Sequence, residues 1–579
     1  MKTNDSDEII IRSILGISAL TIGVAMLPVT IYWFIAFNQK GLRNKVNYRT
    51  LACLTLFVMI GLIGCSYFYN DILSTASWRN EHVFYNFKAI QVFGGLTKLI
   101  SGWLICGFAS YLITPLVLKF KKTSNGIRTQ DFENKIQDFS EIKKHFFNPT
   151  LLPIGINLKN GEVVGLNQTQ RTAHVLTVGA TGTGKTTAMI NMILHAVANN
   201  LPCVVIDPKG EDSTLEEVIR IGRKLVPDFD EKFELFSMSK PQQSFKYNPL
   251  KHGNANQLKD RIMEAFTWSE QYYQSIAGSF LTELTATTEY LGLCLNLDRI
   301  SKILRFKEEQ AEILKKLRDR FQESGDQYAL NLYNNLSTFF NKSKEDALSG
   351  LNAQITILNN PTFGGLLSFD NAISEIDFRD SRKKSKIAYF QLDTLGNADS
   401  ARRLGRMIIE DLKSLASEVY KTEPDSRTRI FFPVFIDEFG SFATREFIEF
   451  LKQSRGANFG IHLFCQGLED LDSVSPEFRR QVISNTMTKI GLRMDDNQTV
   501  NEICATAGTF DAIEQSFQVE GTLLPTKTGM GNQRFTKQMY IEHDVFKQLK
   551  LGQAVIIQKS PSRVSGIQLF KASELKLNY

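Results

Sequence analysis

The sequence has no pair of cysteines at CxxC spacing and no cluster of cysteines with histidines. That excludes the ligand spacing of a structural zinc site. The seven cysteines are odd in number and scattered; Cys53, Cys65 and Cys106 lie in apolar runs, Cys203 and Cys465 in strand-like ones. They read as small buried hydrophobes in a reducing compartment, not as a disulfide framework. A strong excess of charge of one sign is lacking too. A net charge of +6 over 579 residues permits contact with nucleic acid or anionic lipid and demonstrates neither. A cleaved signal peptide fits the first apolar run poorly: the residues ahead of it (Asp5, Asp7, Glu8) are acidic, the run is too long, and it lacks a small-residue cleavage site.

Long apolar runs are present, and they crowd into the first 120 positions. Ile9–Phe37 is broken only by Arg12, Leu51–Phe68 is a second run, and Ala89–Leu118 is a third with Lys98 as its only charge. A spanning helix needs about 20 predominantly apolar residues, so all three are candidate spans. The third contains Gly94, Gly95, Gly102, Gly107 and Pro115, which mark either tight helix packing or an interrupted segment; a true span is the favoured reading. Lys40, Arg43, Lys45 and Arg49 follow the first run, and Lys119, Lys121, Lys122 and Arg128 follow the third, whereas the loop 69–88 mixes both signs. The positive-inside rule then places both basic segments in the cytoplasm, with the mixed loop and the N-terminus outside. Three spans deliver the remaining chain to the cytoplasm, where ATP is.

From about Leu151 the composition becomes that of an α/β domain. Ala173–Val178 reads as a short buried strand, followed by Gly179-Ala-Thr-Gly-Thr-Gly-Lys185-Thr186 and a helical run over Thr187–Asn199. This is GxxxxGK[ST] in its required setting of strand, loop and helix. The glycines let backbone N–H groups turn inward around phosphates, and the helix N-terminus adds a favourable field. Gly179, Gly182, Thr183, Gly184, Lys185, Thr186 and Thr187 are the expected nucleotide-binding residues, with Lys185 on the β- and γ-phosphates and the Thr186 hydroxyl on Mg²⁺. A second strand, Pro202–Ile206, ends in Asp207-Pro-Lys-Gly-Glu211, which alone is only a polar turn. A third, Ile430–Ile436, ends in Asp437-Glu438, the Walker B arrangement. Asp437 is expected to hold the Mg²⁺ shell through water and Glu438 to polarise the attacking water. Pro433 is awkward in a central strand because it cannot donate to the ladder, so pairing is expected to begin at Val434, or Pro433 to sit where no bond is needed. A fourth strand, Ile461–Cys465, ends in Gln466; before it, Arg455 reads either as a surface arginine or as a finger reaching a neighbouring subunit's nucleotide.

Taken in order, these motifs resemble the type IV coupling proteins of the TraD/TraG class. The likeness covers roughly residues 150–570 and rests on GATGTGKT at Gly179, VVIDPKGE at Val204, YNPL at Tyr247, FIDEFG at Phe435, QSRGANFGIHLFCQ from Gln453 and SNTMTKIGLRMDD from Ser484. It implies a RecA-like P-loop core with an inserted all-α domain, behind an N-terminal transmembrane region. On this reading residues 1–122 hold about three membrane helices, 123–253 and 375–579 form the two parts of the nucleotide-binding domain, and 254–374 form the insert. The resemblance further implies a homo-hexameric ring at a bacterial inner membrane, ATP and Mg²⁺ as cofactors, and transfer of relaxase-bound single-stranded DNA or protein effectors into a type IV secretion channel. It gives Gln466 the role of sensing the γ-phosphate between the two acids, and places Arg479 and Arg480 near a second basic position facing nucleotide. Two departures stand out. Members usually carry two spans where three are read here, and a long C-terminal extension for adaptors is not evident before Tyr579.

Within the insert the clearest helical stretch is Ile300–Gln322, whose apolar positions include Ile303, Leu304, Phe306, Ile313 and Leu317 with charges of both signs between them. It reads first as a solvated amphipathic helix. Two other readings of the whole chain stay open. An FtsK-type double-stranded DNA pump shares core and anchor, but a winged-helix reader after residue 570 has no room. A nucleotide-locked scaffold is argued against by the intact Asp437-Glu438 pair.

Overall fold

An eleven-stranded mixed sheet organises the chain, in a computed structural model that describes residues 127–575 except 133–135, 137, 269 and 521–525. The three apolar N-terminal stretches and their expected topology lie outside the described residues. Among the described residues no helix is long and apolar enough to cross a membrane.

The strands are β1 (Leu151–Asn157), β2 (Val163–Asn167), β3 (Val175–Val178), β4 (Cys203–Asp207), β5 (Phe233–Ser237), β6 (Ile387–Gln391), β7 (Phe432–Ile436), β8 (Phe459–Cys465) and β9 (Thr488–Gly491). After them come β10 (Thr509–Glu520), β11 (Thr526–Met539), β12 (Gln553–Lys559) and β13 (Ser562–Leu569). The large sheet runs β2-β1-β13-β12-β9-β3-β8-β7-β4-β6-β5, while β10 and β11 form a separate two-stranded ribbon. From β9 to β5 every neighbouring pair is parallel. The other end is antiparallel, built by the β12–β13 hairpin and by β1 and β2.

The parallel strands read as continuous apolar runs because helices cover both faces. Val175, Val205, Phe435 and Phe464 pack in one buried cluster with the helix Lys185–Ala198. Leu176, Val204, Val434 and Leu463 pack in the other, with the helix Ala398–Thr422. Pro433 finds its place through this order. Towards β8 it lies in register with Gly460, but towards β4 pairing begins only at Val434, opposite Val204. The missing N–H therefore interrupts no bond to β4.

Between β5 and β6 the regular structure is helical, including Ala255–Ala265, Gln271–Leu291, Leu297–Arg305, Lys307–Ser324, Gln327–Ser337 and Lys342–Leu358. The stretch expected as one helix over Ile300–Gln322 is two. Phe306 takes an extended conformation (φ −113°, ψ 125°), half exposed, and breaks it.

The YNPL element fastens this helical segment to the sheet layers. The Tyr247 hydroxyl donates to Asp411 Oδ2 (3.0 Å), and Asn248 Nδ2 donates to the carbonyl oxygens of Leu295 (2.9 Å) and Phe369 (3.3 Å). Arg261, fully buried, donates to the Pro249 carbonyl and to Ser414 Oγ (2.9 Å) and pairs with Asp411 Oδ1 (3.1 Å). Arg379 reaches the same carboxylate at 2.8 Å. Burial would raise the Asp411 carboxyl, yet the two guanidinium groups hold it below the ordinary carboxylate value.

Candidate nucleotide site

The order β3-β8-β7-β4 places four loops side by side at the carboxyl ends of parallel strands, the usual place for a ligand in an open α/β sheet. After β3 comes the phosphate loop. Gly182 (φ +74°) and Gly184 (φ +115°) take left-handed conformations open to glycine, and Gly184 caps the helix Lys185–Ala198. Gly179 has no space for a side chain, since a Cβ there would lie 2.7 Å from Leu492 Cβ. Thr183 turns back into the loop, its hydroxyl donating to the Ala180 carbonyl at 2.7 Å. The Lys185 ammonium donates to the carbonyl oxygens of Gly179 and Ala180, the latter at 3.1 Å. Desolvation lowers the pKa of this lysine.

The other three strands deliver the remaining groups. Thr181 Oγ1 donates to Gln466 Oε1 (3.1 Å), and Gln466 Nε2 donates to Glu438 Oε1 (3.1 Å). A chain of hydrogen bonds thus joins the phosphate loop, the end of β8 and the Walker B acid. Glu438 sits at φ 42°, ψ 51°, a left-handed conformation that a side chain of this size adopts only under constraint. Asp437 is buried, and its Oδ1 accepts the Glu438 N–H at 3.0 Å. From the end of β4, Lys209 extends to Asp437 Oδ2 (3.1 Å) and Glu438 Oε1 (3.5 Å). Asp207 beneath it accepts from the Tyr389 hydroxyl (2.6 Å) and the Lys209 N–H (2.9 Å); burial pushes its carboxyl up to about 6 against those two bonds.

These groups surround a cleft of about 500 Å³ lined by Thr181, Gly182, Gly184, Lys185, Thr186, Thr187, Lys209, Glu438 and Gln466. Its far wall, which carries no motif, comes from the two ends of the described chain: Ile136 and Phe139 on one side, Leu551, Gly552 and Gln568–Lys571 on the other. Gln568 Nε2 donates to the Gly552 carbonyl (3.0 Å), and its buried Oε1 has no partner among the described residues. Lys209 and this wall are what motif reading missed. For Lys209 the VVIDPKGE string was the available signal; for the wall, whose residues come from the antiparallel end of the sheet, there was none.

Arg455 is not brought to the cleft. It ends the helix Phe447–Ser454, is exposed, and among the described residues its side chain has no hydrogen bond or ion pair. Arg479, expected near nucleotide, is instead spent on carboxylates: it pairs with Asp472 (2.8 Å) and Glu502 (3.0 Å). Arg480 pairs with Glu477 on the same helix (2.8 Å). The hard oxygen donors that a magnesium ion requires are present in Thr186, which lines the cleft, and in Asp437, whose Oδ2 meets Lys209 of the same lining.

Residues 143–281 match the FtsK/SpoIIIE family. Residues 432–550 match the family described as the TraM recognition site of TraD and TraG. Among curated proteins, the chain is 22% identical over 508 residues to the type 4 coupling protein DotL of Legionella pneumophila (strain Philadelphia 1). The likeness is to type IV coupling proteins. The match covers 77% of this chain and 64% of that relative's length, so the chain spans under two thirds of it. In fold, it is similar to the unbound monoclinic form of the bacterial conjugative coupling protein TrwBdeltaN70, with TM-score 0.52 and 13% identity over 75% of this chain and 92% of that one. The trigonal form of the same coupling protein, in complex with sulphate, gives TM-score 0.50 at 13% identity, covering 76% and 95%. The expected RecA-like P-loop core is thus present.

Proposed function

We propose that this chain is the membrane-anchored ATPase of a coupling complex, delivering relaxase-bound single-stranded DNA, protein effectors or both to a type IV secretion or conjugation channel. The observation that carries the reading is the convergence of Lys185, Thr186, Asp437, Glu438 and Gln466 on one cleft, wired by the Thr181–Gln466–Glu438 hydrogen bonds. In this reading the loop N–H groups and Lys185 bind the ATP phosphates. Thr186 and, through water, Asp437 would hold a magnesium ion, which would supply positive charge to the phosphates. Glu438 accepts a proton from the attacking water, and its αL backbone and its bond from Gln466 fix where that carboxylate points. Gln466, bonded both to the loop and to Glu438, is placed to sense whether the γ-phosphate is present. Ile136, Phe139 and the Gln568–Lys571 wall take the nucleoside end.

Three further elements belong to the same reading. The N-terminal apolar stretches anchor the protein in the inner membrane by about three spans, with the ATPase in the cytoplasm. Six copies form a ring, in which the exposed Arg455 reaches a neighbour's nucleotide. Residues 254–374 form the helical face that meets cargo. The match to the TraD/TraG recognition segment at 432–550 favours this over an FtsK-type pump, whose family match is confined to the phosphate-loop half.

The test uses the full chain in lipid nanodiscs, with ATP hydrolysis measured with and without single-stranded DNA and Lys185→Ala as the blank. Length-dependent stimulation is expected for a DNA-coupling motor. Hydrolysis indifferent to DNA would redirect the reading to protein cargo, and turnover no faster than that of a Glu438→Gln variant would leave only a scaffold.

A further inference from the structure

Both oxygens of Asp437 are already engaged by the protein. Oδ1 takes the Glu438 N–H at 3.0 Å, and Oδ2 takes the Lys209 ammonium at 3.1 Å. A carboxylate this buried is costly without a compensating charge, and among the described residues Lys209 is the cation paired with it. The lysine comes from a different strand, on a turn that is held on several sides. Its own N–H is bound to Asp207 Oδ1, the Asp207 carbonyl accepts from Leu392 N–H (2.7 Å), and the Pro208 carbonyl accepts from Thr394 N–H and Oγ1, both at 2.9 Å. At Gly210 an added Cβ would come within 3.0 Å of both Asp393 Oδ1 and Ser239 Oγ. The backbone of the turn is therefore fixed. The ammonium, by contrast, ends a flexible four-carbon stem whose side chain is 35% exposed and which lines the cleft.

We propose that Lys209 is a displaceable internal cation, which occupies Asp437 while the site is empty and must leave it for a divalent ion to be held there. This rests on the nucleotide site proposed above and adds to it a device for letting product go. A contact that breaks when the metal binds stabilises the metal-free protein against the loaded one, and lowers metal–nucleotide affinity by the same factor. Lys209 is a positioning residue in this account. It acts on Asp437, and its return to Oδ2 favours release of the metal with ADP.

The experiment is equilibrium binding of a fluorescent N-methylanthraniloyl-ADP to the full chain in nanodiscs, in Mg²⁺ and separately in EDTA. Lys209→Met, Lys209→Gln and Lys209→Arg are compared with the unaltered protein, with Lys185→Ala as the control for the site itself. Removing the charge with Met or Gln is expected to tighten binding in Mg²⁺ about tenfold, within the usual range of such couplings, and to leave binding in EDTA unchanged. Arginine, which keeps the charge, should stay near the starting affinity. Unchanged or weaker Mg²⁺-dependent binding in both Met and Gln variants would overturn the role of Lys209 while leaving the nucleotide site intact. Equal tightening in EDTA would also overturn it, since the lysine would then oppose the nucleotide and not the metal. If the unaltered chain bound Mg²⁺–ADP no better than Lys185→Ala, the nucleotide site itself would fall, and this inference with it.

Discussion

Replacing Glu264 by glutamine should stabilise the protein in alkaline solution and leave it unchanged in acid. Glu264 lies on the helix Ala255–Ala265, at the junction between the helical segment and the sheet layers, and its carboxyl is pushed up to about 8 from 4.5. Burial is the main cause. A shared hydrogen bond with Glu446 and the charges of Glu446 and Glu410 add to it, and Lys413 opposes it. The folded state therefore holds this proton more tightly than the unfolded chain does. The contribution is complete below about pH 4.5 and is lost as pH rises towards 8, because the unfolded state then gains from ionising. At 1.36 kcal/mol for each pH decade between 4.5 and about 8, the upper limit is about 5 kcal/mol; solvent reaching the pair screens it to roughly 2 kcal/mol. Glutamine donates to Glu446 at every pH. Thermal unfolding of the two proteins at pH 5 and pH 8.5 should thus give coincident midpoints at pH 5 and a midpoint several degrees higher for Glu264→Gln at pH 8.5. Equal midpoints at both values, or a gain as large at pH 5 as at 8.5, would refute the shared-proton account.

Glu438→Gln should lower ATP turnover by roughly 10²–10⁴-fold while keeping nucleotide binding, the signature of a lost proton acceptor; a drop in binding of similar size would make Glu438 a ligand instead. Asp411→Asn leaves the buried Arg261 without its anion, although Arg379 keeps Glu418, and should cost about 3–5 kcal/mol, whereas Tyr247→Phe removes one charged hydrogen bond and should cost about 1.5–3 kcal/mol, in denaturant titrations that would fail the argument if the order reversed. Gly405→Ala should destabilise the chain despite alanine's better helix propensity, since its Cβ would lie 2.3 Å from Phe442 Cδ1; a higher melting midpoint would show that Phe442 yields. Arg455→Ala subunits mixed with Lys185→Ala subunits should regain hydrolysis if the arginine acts across an interface, and no recovery at any ratio would end that reading.

The core of the site was legible because its chemistry is local in sequence. GATGTGKT needs only a strand before it and a helix after it, and both are there at β3 and Lys185–Ala198. Asp437-Glu438 and Gln466 were legible for the same reason, each ending an apolar run that became β7 or β8. What was not legible depends on strand order. That β8 lies between β3 and β7, so that Gln466 can bridge Thr181 and Glu438, follows from pairing across long sequence separations. Lys209 looked like part of a polar turn because nothing in the residues around it says that β4 will neighbour β7. Arg479, which the resemblance places near a second basic position facing nucleotide, pairs within the chain with Asp472 and Glu502, a partnership set by the fold and not by the motif. Phe306 fitted the helical period over Ile300–Gln322, yet the chain breaks there and leaves its ring half exposed.

The elements that meet the nucleotide cleft also carry the helical segment, and this follows from particular contacts. The turn bearing Lys209 is fixed by Leu392 and Thr394, and the same loop leads through Asp393 and Asn397 into the helix Ala398–Thr422. That helix packs Gly405 against Phe442, in the turn that follows Glu438. One and a half turns further along, its Asp411 holds Arg261 of the helical segment and Tyr247 of YNPL. YNPL is therefore explained without a ligand. Its tyrosine and asparagine do not line the cleft; they join the helical segment to the helix Ala398–Thr422, which starts beside the turn of the displaceable lysine.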